Sequence, residues 1–237
     1  MKALHWFSPL PPAQDERGRY ARSVLPALAE HVRVVAWTEQ EVVPLDLFKF
    51  ADVRKLAPGP LDLAALSRVG EGPCVFHLGD DPALYRATWR LARSHPGLVV
   101  LHGSSFNALI RDQFRDEPAL FPLWVEAAHG NAARRAAEDG EAAGPPLLGL
   151  VARGARAVMT HSPEVREAAR WLVPCPVAFH PFPMEDPVSY AELLLTAAFN
   201  SSALHRDPGN ALAPRVQALL DRVEQRVHAF ASSAPTP

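Results

Sequence analysis

Four short apolar runs in this chain end in histidine. They are Cys-Val-Phe-His at 74–77, Leu-Val-Val-Leu-His at 98–102, Ala-Val-Met-Thr-His at 157–161 and Pro-Val-Ala-Phe-His at 176–180. Runs this short, separated by longer stretches of helical spacing, read as strands buried under helices. Ala3 to Phe7 and Val32 to Trp37 read as two more strands. Gly18 to Glu30 carries Tyr20, Val24, Leu25 and Leu28 at the three-four spacing of an amphipathic helix. Leu61 to Val69 and Phe106 to Phe114 read as short helices, and Ala119 to Glu141 as a long alanine-rich one interrupted at Gly130.

Two further helices announce their own starts. Asp81-Pro82 and Ser162-Pro163 pair a side chain that accepts free amide hydrogens with a proline that gives nothing up at the next position. These helices are expected to run to about Ser94 and to Leu172. Strands alternating with helices predict an α/β protein with one doubly wound parallel sheet, helices on both faces and right-handed crossovers.

After Pro183 the pattern becomes purely helical. Ser189 to Asn200 is one expected helix, and Ala213 to Phe230 is another, with an apolar stripe of Val216, Leu219, Leu220, Val223, Val227 and Phe230. The polar loop NSSALHRDPGN lies between them. The expected organisation is an α/β domain over 1–183, C-terminal helices over 184–231 packing on it, and a disordered tail over 232–237.

A hydrophobic fraction of 48% over 237 residues is ample for a core, and the formal charge is −2 from 24 basic and 26 acidic side chains. No basic stretch is dense enough to mark a nucleic-acid partner. Cys74 and Cys175 sit in or beside apolar strands, which suits packed thiols in a reducing cytosol. No run of 18 apolar residues exists and Met1-Lys2 leads straight into a strand, so a cytoplasmic protein without signal peptide or membrane span is expected.

In an open parallel sheet ligands bind at the carboxyl ends of the strands, where the strand order switches. His77, His102, His161 and His180 are all expected at that rim. An imidazole there can donate or accept a hydrogen bond or carry charge near neutral pH, which suits a ligand rich in hydroxyls or bearing phosphate. The helix starts at Asp81-Pro82 and Ser162-Pro163 point partial positive charge at the same edge. A lone strand-end histidine more often serves packing than binding; four on one edge shift the balance. No HExxH or CxxC spacing is present, so no metal site is expected. The first strand is followed by FSPLPPAQDERGRY rather than GxGxxG, and neither a P-loop nor GxSxG occurs, so no dinucleotide or other cofactor is expected.

Taken in order, FSPLPP with YARSVLPALAE, then FHLGDDPALY, HPGLVVLHGSSFNALI and ARAVMTHSPEVREAAR, this sequence resembles the amino-terminal domain of family 4 glycosyltransferases of the GT-B fold. The matches cover most of 1–183. Such enzymes have two Rossmann-like domains, the first holding the sugar acceptor and the second the nucleotide-sugar donor. Ser189 to Asn200 resembles the terminal helix that crosses back onto the first domain. The donor half's E-x7-E and G-x-K-G motifs are not found here, so the resemblance implies a truncated transferase whose donor-binding domain was lost or is on another polypeptide. His102 is the catalytic residue that the resemblance suggests, hydrogen-bonding the transferred sugar or positioning the acceptor. Asp15, Gly18, Tyr20, His77, Gly79, Asp80, Gly103, His161 and Ser162 are the implied acceptor-binding residues. Tyr20 also fits a helix-packing role and Ser162 a cap. The chain departs from the family at Glu16, where a glycine is usual, at Asp80, often asparagine, and at Gly103, often aspartate.

Three functions follow as expectations. The first is the acceptor-binding half of a retaining sugar transferase, inactive by itself, whose partners are a sugar acceptor and a separate donor domain or a second copy of itself. The second is a non-catalytic carbohydrate-binding or regulatory protein derived from one. The third, a hydrolase using Ser104 or Ser105 beside His102, has only adjacency to support it.

Overall fold

The computed structural model describes residues 3–11, 16–56, 72–130, 133–135, 147–182 and 185–200. The expected helices at Leu61 to Val69 and Ala213 to Phe230, the loop NSSALHRDPGN after its first residue, the tail, Asp15 and residues 136–141 of the expected helix from Ala119 to Glu141 lie outside the described residues. Seven parallel strands form one sheet: β1 Ala3–Phe7, β2 Arg33–Thr38, β3 Asp52–Lys55, β4 Cys74–Leu78, β5 Leu98–Leu101, β6 Ala157–Thr160 and β7 Val177–Phe179. Their spatial order is β3-β2-β1-β4-β5-β6-β7. The order reverses between β1 and β4, making a doubly wound, Rossmann-like α/β architecture.

The two faces are covered by different helices. Helix α1 (Glu16–Ala29) lies on one face. The opposite face carries α2 (Pro82–Ser94), α3 (Asn107–Asp112), α4 (Leu120–His129), a single turn α5 (Leu148–Val151) and α6 (Pro163–Leu172). The last helix among the described residues, α7 (Pro187–Phe199), returns to pack against α1. One core layer joins Tyr85 and Trp89 of α2 to Phe76, Val99 and Leu101; the other joins Tyr20, Val24 and Leu28 of α1 and Tyr190 and Leu194 of α7 to Leu4, Trp6 and Val100. Each large side chain buried in this way contributes about 1.5–3 kcal/mol relative to exposure.

Local chemistry sets the boundaries. Asp81 accepts a hydrogen bond from the Ala83 amide at 2.9 Å and Ser162 one from Val165 at 3.2 Å, each followed by proline, so α2 and α6 start where the sequence predicts. Asp186 caps α7 through the Ser189 amide. Gly130 ends α4 with φ of 84°, a left-handed conformation that costs glycine little. Gly97 brings the chain into β5 so close to Cys74 that a Cβ would lie 2.5 Å from its carbonyl oxygen.

The sequence does not predict β3, the 3-10 turn Leu45–Lys49 before it, or α5. Strand β3 is an edge strand, and in Asp-Val-Arg-Lys only Val53 is apolar. Its Asp52 pairs with Arg54 beside it and with Arg33 of β2, the kind of charged edge that needs no hydrophobic run. Among the described residues no helix is long and apolar enough to cross a membrane.

Candidate functional site: a histidine-lined cavity at the strand ends

Parity explains why the histidines meet. Val75 in β4, Leu98 and Val100 in β5, Ala157 and Met159 in β6 and Ala178 in β7 all face the α1–α7 layer. Side chains alternate along a strand, so His77, His102, His161 and His180 continue those same rows. Leu101 pairs with Thr160 and Thr160 with Phe179, which puts His102, His161 and His180 at one level just past three neighbouring strands. His77 pairs with Val100 and lies lower, inside the layer.

Tyr20 of α1 stands among them. Its ring lies 5.2 Å from His77, 4.7 Å from His102 and 5.4 Å from His161. Tyr190 of α7 lies 5.5 Å from His161 and 5.2 Å from His180, and the two tyrosine hydroxyls hydrogen-bond each other. Beneath them His77 packs against Trp6 with ring centroids 4.0 Å apart.

Hydrogen bonds orient the imidazoles. His77 Nδ1 and His102 Nε2 are 2.9 Å apart. His161 Nδ1 is 3.0 Å from the His180 carbonyl oxygen, which can only accept, so Nδ1 carries the hydrogen and Nε2 the lone pair. His161 Nε2 and His77 Nε2 are buried without a hydrogen-bond partner. Burial holds His77 well below the usual imidazole range, with His102 and His161 adding to the effect. Burial also pushes His161 down to about 4, against the pull of its bond to His180. Both rings are neutral at physiological pH, so they offer hydrogen bonding rather than the positive charge that sequence also allowed.

A cavity of about 450 Å³ opens at the ends of β5 and β6. His102, Gly103 and Ser104 form one wall, and Thr160, His161 and Ser162 the other, closed by Val165 and Phe182. Among the described residues no charged side chain lines it. The amino terminus of α6 adjoins it, but Ser162 caps that terminus and Glu164 hydrogen-bonds Ser162, placing a carboxylate where an anion would otherwise be drawn. Among the described residues no group of three or more His, Cys, Asp or Glu side chains is arranged to hold a metal ion.

No family model, curated protein or solved structure gives a match to this chain.

The structure separates the residues singled out in the sequence into three groups. His102, Gly103, His161 and Ser162 line the cavity, with Ser162 also a helix cap. Tyr20 and His77 are fully buried and do not line it, so they reach a ligand only through His102 and His161. Asp80 turns away and accepts the Leu109 amide at 3.1 Å, holding the first turn of α3, while Gly79 is buried beside it. Gly18 lies in the first turn of α1. His180 packs on Tyr190 and does not line the cavity. Thr160 and Phe182 line it without having been singled out. Thr160 is a polar residue closing an apolar strand, the signal that marked the histidine after it; Phe182 sits two residues past His180 and carries no local signal.

Proposed function

We propose that this chain is the acceptor-binding half of a retaining GT-B sugar transferase, which transfers sugar only with a nucleotide-sugar donor held by a separate domain. The observation that carries this reading is the uncharged cavity. Ser104, Ser162, Thr160 and His102 supply hydroxyls and an imidazole, and Phe182 supplies an aromatic ring, with no cation among the described lining residues to hold a pyrophosphate. That combination suits a neutral polyhydroxylated ligand: polar atoms take its hydroxyls and the ring takes a C–H face. The packing of α7 back onto α1 supports the reading, because the resemblance implies a terminal helix in that place.

In this reading His102 lies at the reacting centre and His77 behind it sets its orientation, so the half-site works by positioning. A second reading, carbohydrate binding without transfer, is favoured because no carboxylate is among the described lining residues, and Glu164 at the margin accepts a hydrogen bond from Ser162.

Calorimetry with neutral mono- and disaccharides and with nucleotide sugars tests the proposal. Neutral sugars should bind, His102→Ala should weaken them at least tenfold, and nucleotide sugars should bind no better than their sugar. Transfer should begin when a donor domain is supplied. Binding without transfer establishes the second reading, and a nucleotide sugar bound through its phosphates overturns both.

A further inference from the structure

Helix α7 carries more apolar surface than the sheet covers. It reads PVSYAELLLTAAF, with Glu192 its one charged residue. Tyr190, Ala191, Leu194 and Ala197 turn inward and are buried in the layer shared with α1. Along one flank Val188, Glu192, Leu195 and Phe199 follow at steps of four, three and four, a single stripe down the helix. Val188 is 51% and Phe199 37% exposed, Leu195 is half-buried and Glu192 is exposed. A helix apolar on nearly every side is ordinarily covered on nearly every side.

The same chain holds a matching stripe. Residues 213–230 lie outside the described residues, and their sequence carries Val216, Leu220, Val223, Val227 and Phe230 at steps of four, three, four and three. That alternation is the seam of two helices packed side by side. Pro214 suits the first turn of a helix, and Asp207-Pro208-Gly209 suits a turn before it. A helix of this length is marginal alone in water, so its apolar stripe needs a surface.

Reach and charge select the surface. Twelve residues, 201–212, separate Asn200, just past α7, from Ala213. Extended, they span roughly 40 Å, whereas α7 is about 20 Å long. The segment can therefore return beside α7 in the opposite direction. In that antiparallel register Phe199 meets Val216, Leu195 meets Leu220, Glu192 meets Val223 and Val188 meets Val227. Arg226, at the border of the stripe three residues past Val223, then comes within reach of Glu192. A parallel register satisfies the spacing equally, but it sets Glu192 against Leu220 with Glu224 at the border, like charge against like.

We propose that residues 213–230 of this chain pack antiparallel along the flank of α7 as the second arm of a helical hairpin, with Arg226 paired to Glu192. Tyr190 of α7 lies against His161 and His180, so the segment steadies the helix behind the histidine cavity. The hairpin stands whether or not that cavity takes a sugar.

The test uses the full chain. Leu195→Cys with Leu220→Cys should form a disulfide within one chain at least tenfold faster than Leu195→Cys with Ala218→Cys, whose second cysteine is on the far side of the segment's stripe; Cys74 and Cys175 are buried. Glu192→Arg should speed amide hydrogen exchange across residues 216–227 at least threefold, and adding Arg226→Glu should restore the slow exchange. Equal rates for the two cysteine pairs overturn the proposal, as does exchange at 216–227 that ignores Glu192→Arg. A disulfide joining two chains also overturns it and assigns the flank to a second copy.

Discussion

The hydrogen bond between Tyr20 and Tyr190 offers a sharp test of how the site is held. Both side chains are 0% exposed, and their hydroxyls meet between α1 and α7, directly behind the histidines. Replacing either tyrosine with phenylalanine keeps the ring packing and leaves the remaining hydroxyl buried without its partner. That orphan costs about 1–3 kcal/mol. Replacing both removes donor and acceptor together, and the loss should fall below about 1 kcal/mol, because no polar group is then stranded. The singles predict an additive sum of about 2–6 kcal/mol, so the double variant should be more stable than that sum by at least about 1 kcal/mol. Urea unfolding of the four proteins at pH 7.5 gives the cycle directly. If the double variant loses as much as the two singles together, the hydroxyls act independently and the reasoning about this clamp fails.

Other consequences can be measured in the same way. His161 has its pKa lowered by burial to about 4 from an ordinary 6.5, so on acidification the unfolded chain takes up the proton first. Its contribution is present in full above pH 6.5, declines as the pH falls from 6.5 to 4, and levels below that, by about 3 kcal/mol in all. The stability difference between wild type and His161→Gln should follow that course in urea titrations from pH 7.5 to 3.5; a difference independent of pH refutes it. Gly97→Ala should destabilise by about 1–3 kcal/mol, because its Cβ would meet the Cys74 carbonyl and the Phe76 ring, and a neutral result in thermal unfolding would contradict the close approach. Asp81→Ala should cost about 1 kcal/mol through loss of the α2 cap, whereas Asp81→Asn should cost less; equal losses by chemical denaturation would point away from capping. Phe182→Leu, which keeps an apolar side chain against Tyr20 and His161, should weaken a neutral sugar in the histidine cavity at least threefold by calorimetry while thermal unfolding shows it folded, and unchanged affinity would remove the ring from the site.

Much of the fold is legible without coordinates. The runs Ala3–Phe7, Cys74–Leu78, Leu98–Leu101 and Ala157–Thr160 are strands as their apolar character requires, and the aspartate-proline and serine-proline starts locate α2 and α6 to the residue. These signals are local: burial on both faces demands an unbroken apolar run, and capping demands particular atoms at particular positions. Strand β3 escapes because an edge strand lies only half under cover and needs no unbroken apolar run. A small pocket lined by Ser8, Thr38, Glu39 and Thr88 escapes for a separate reason. Ser8, Glu39 and Thr88 belong to three elements that meet only because the sheet reverses its order there.

Sequence by itself determined that this chain builds a parallel sheet under helices and that four histidines close four of its apolar runs, since both facts are written in spacing along the chain. Tertiary structure decided that the four share one face, that His77 and Tyr20 are sealed inside while His102 and His161 line a cavity, and that the two sealed or nearly sealed imidazoles, His77 and His161, are neutral. Register, burial and dielectric environment come from neighbours brought in across the sheet, and no local run of residues encodes them.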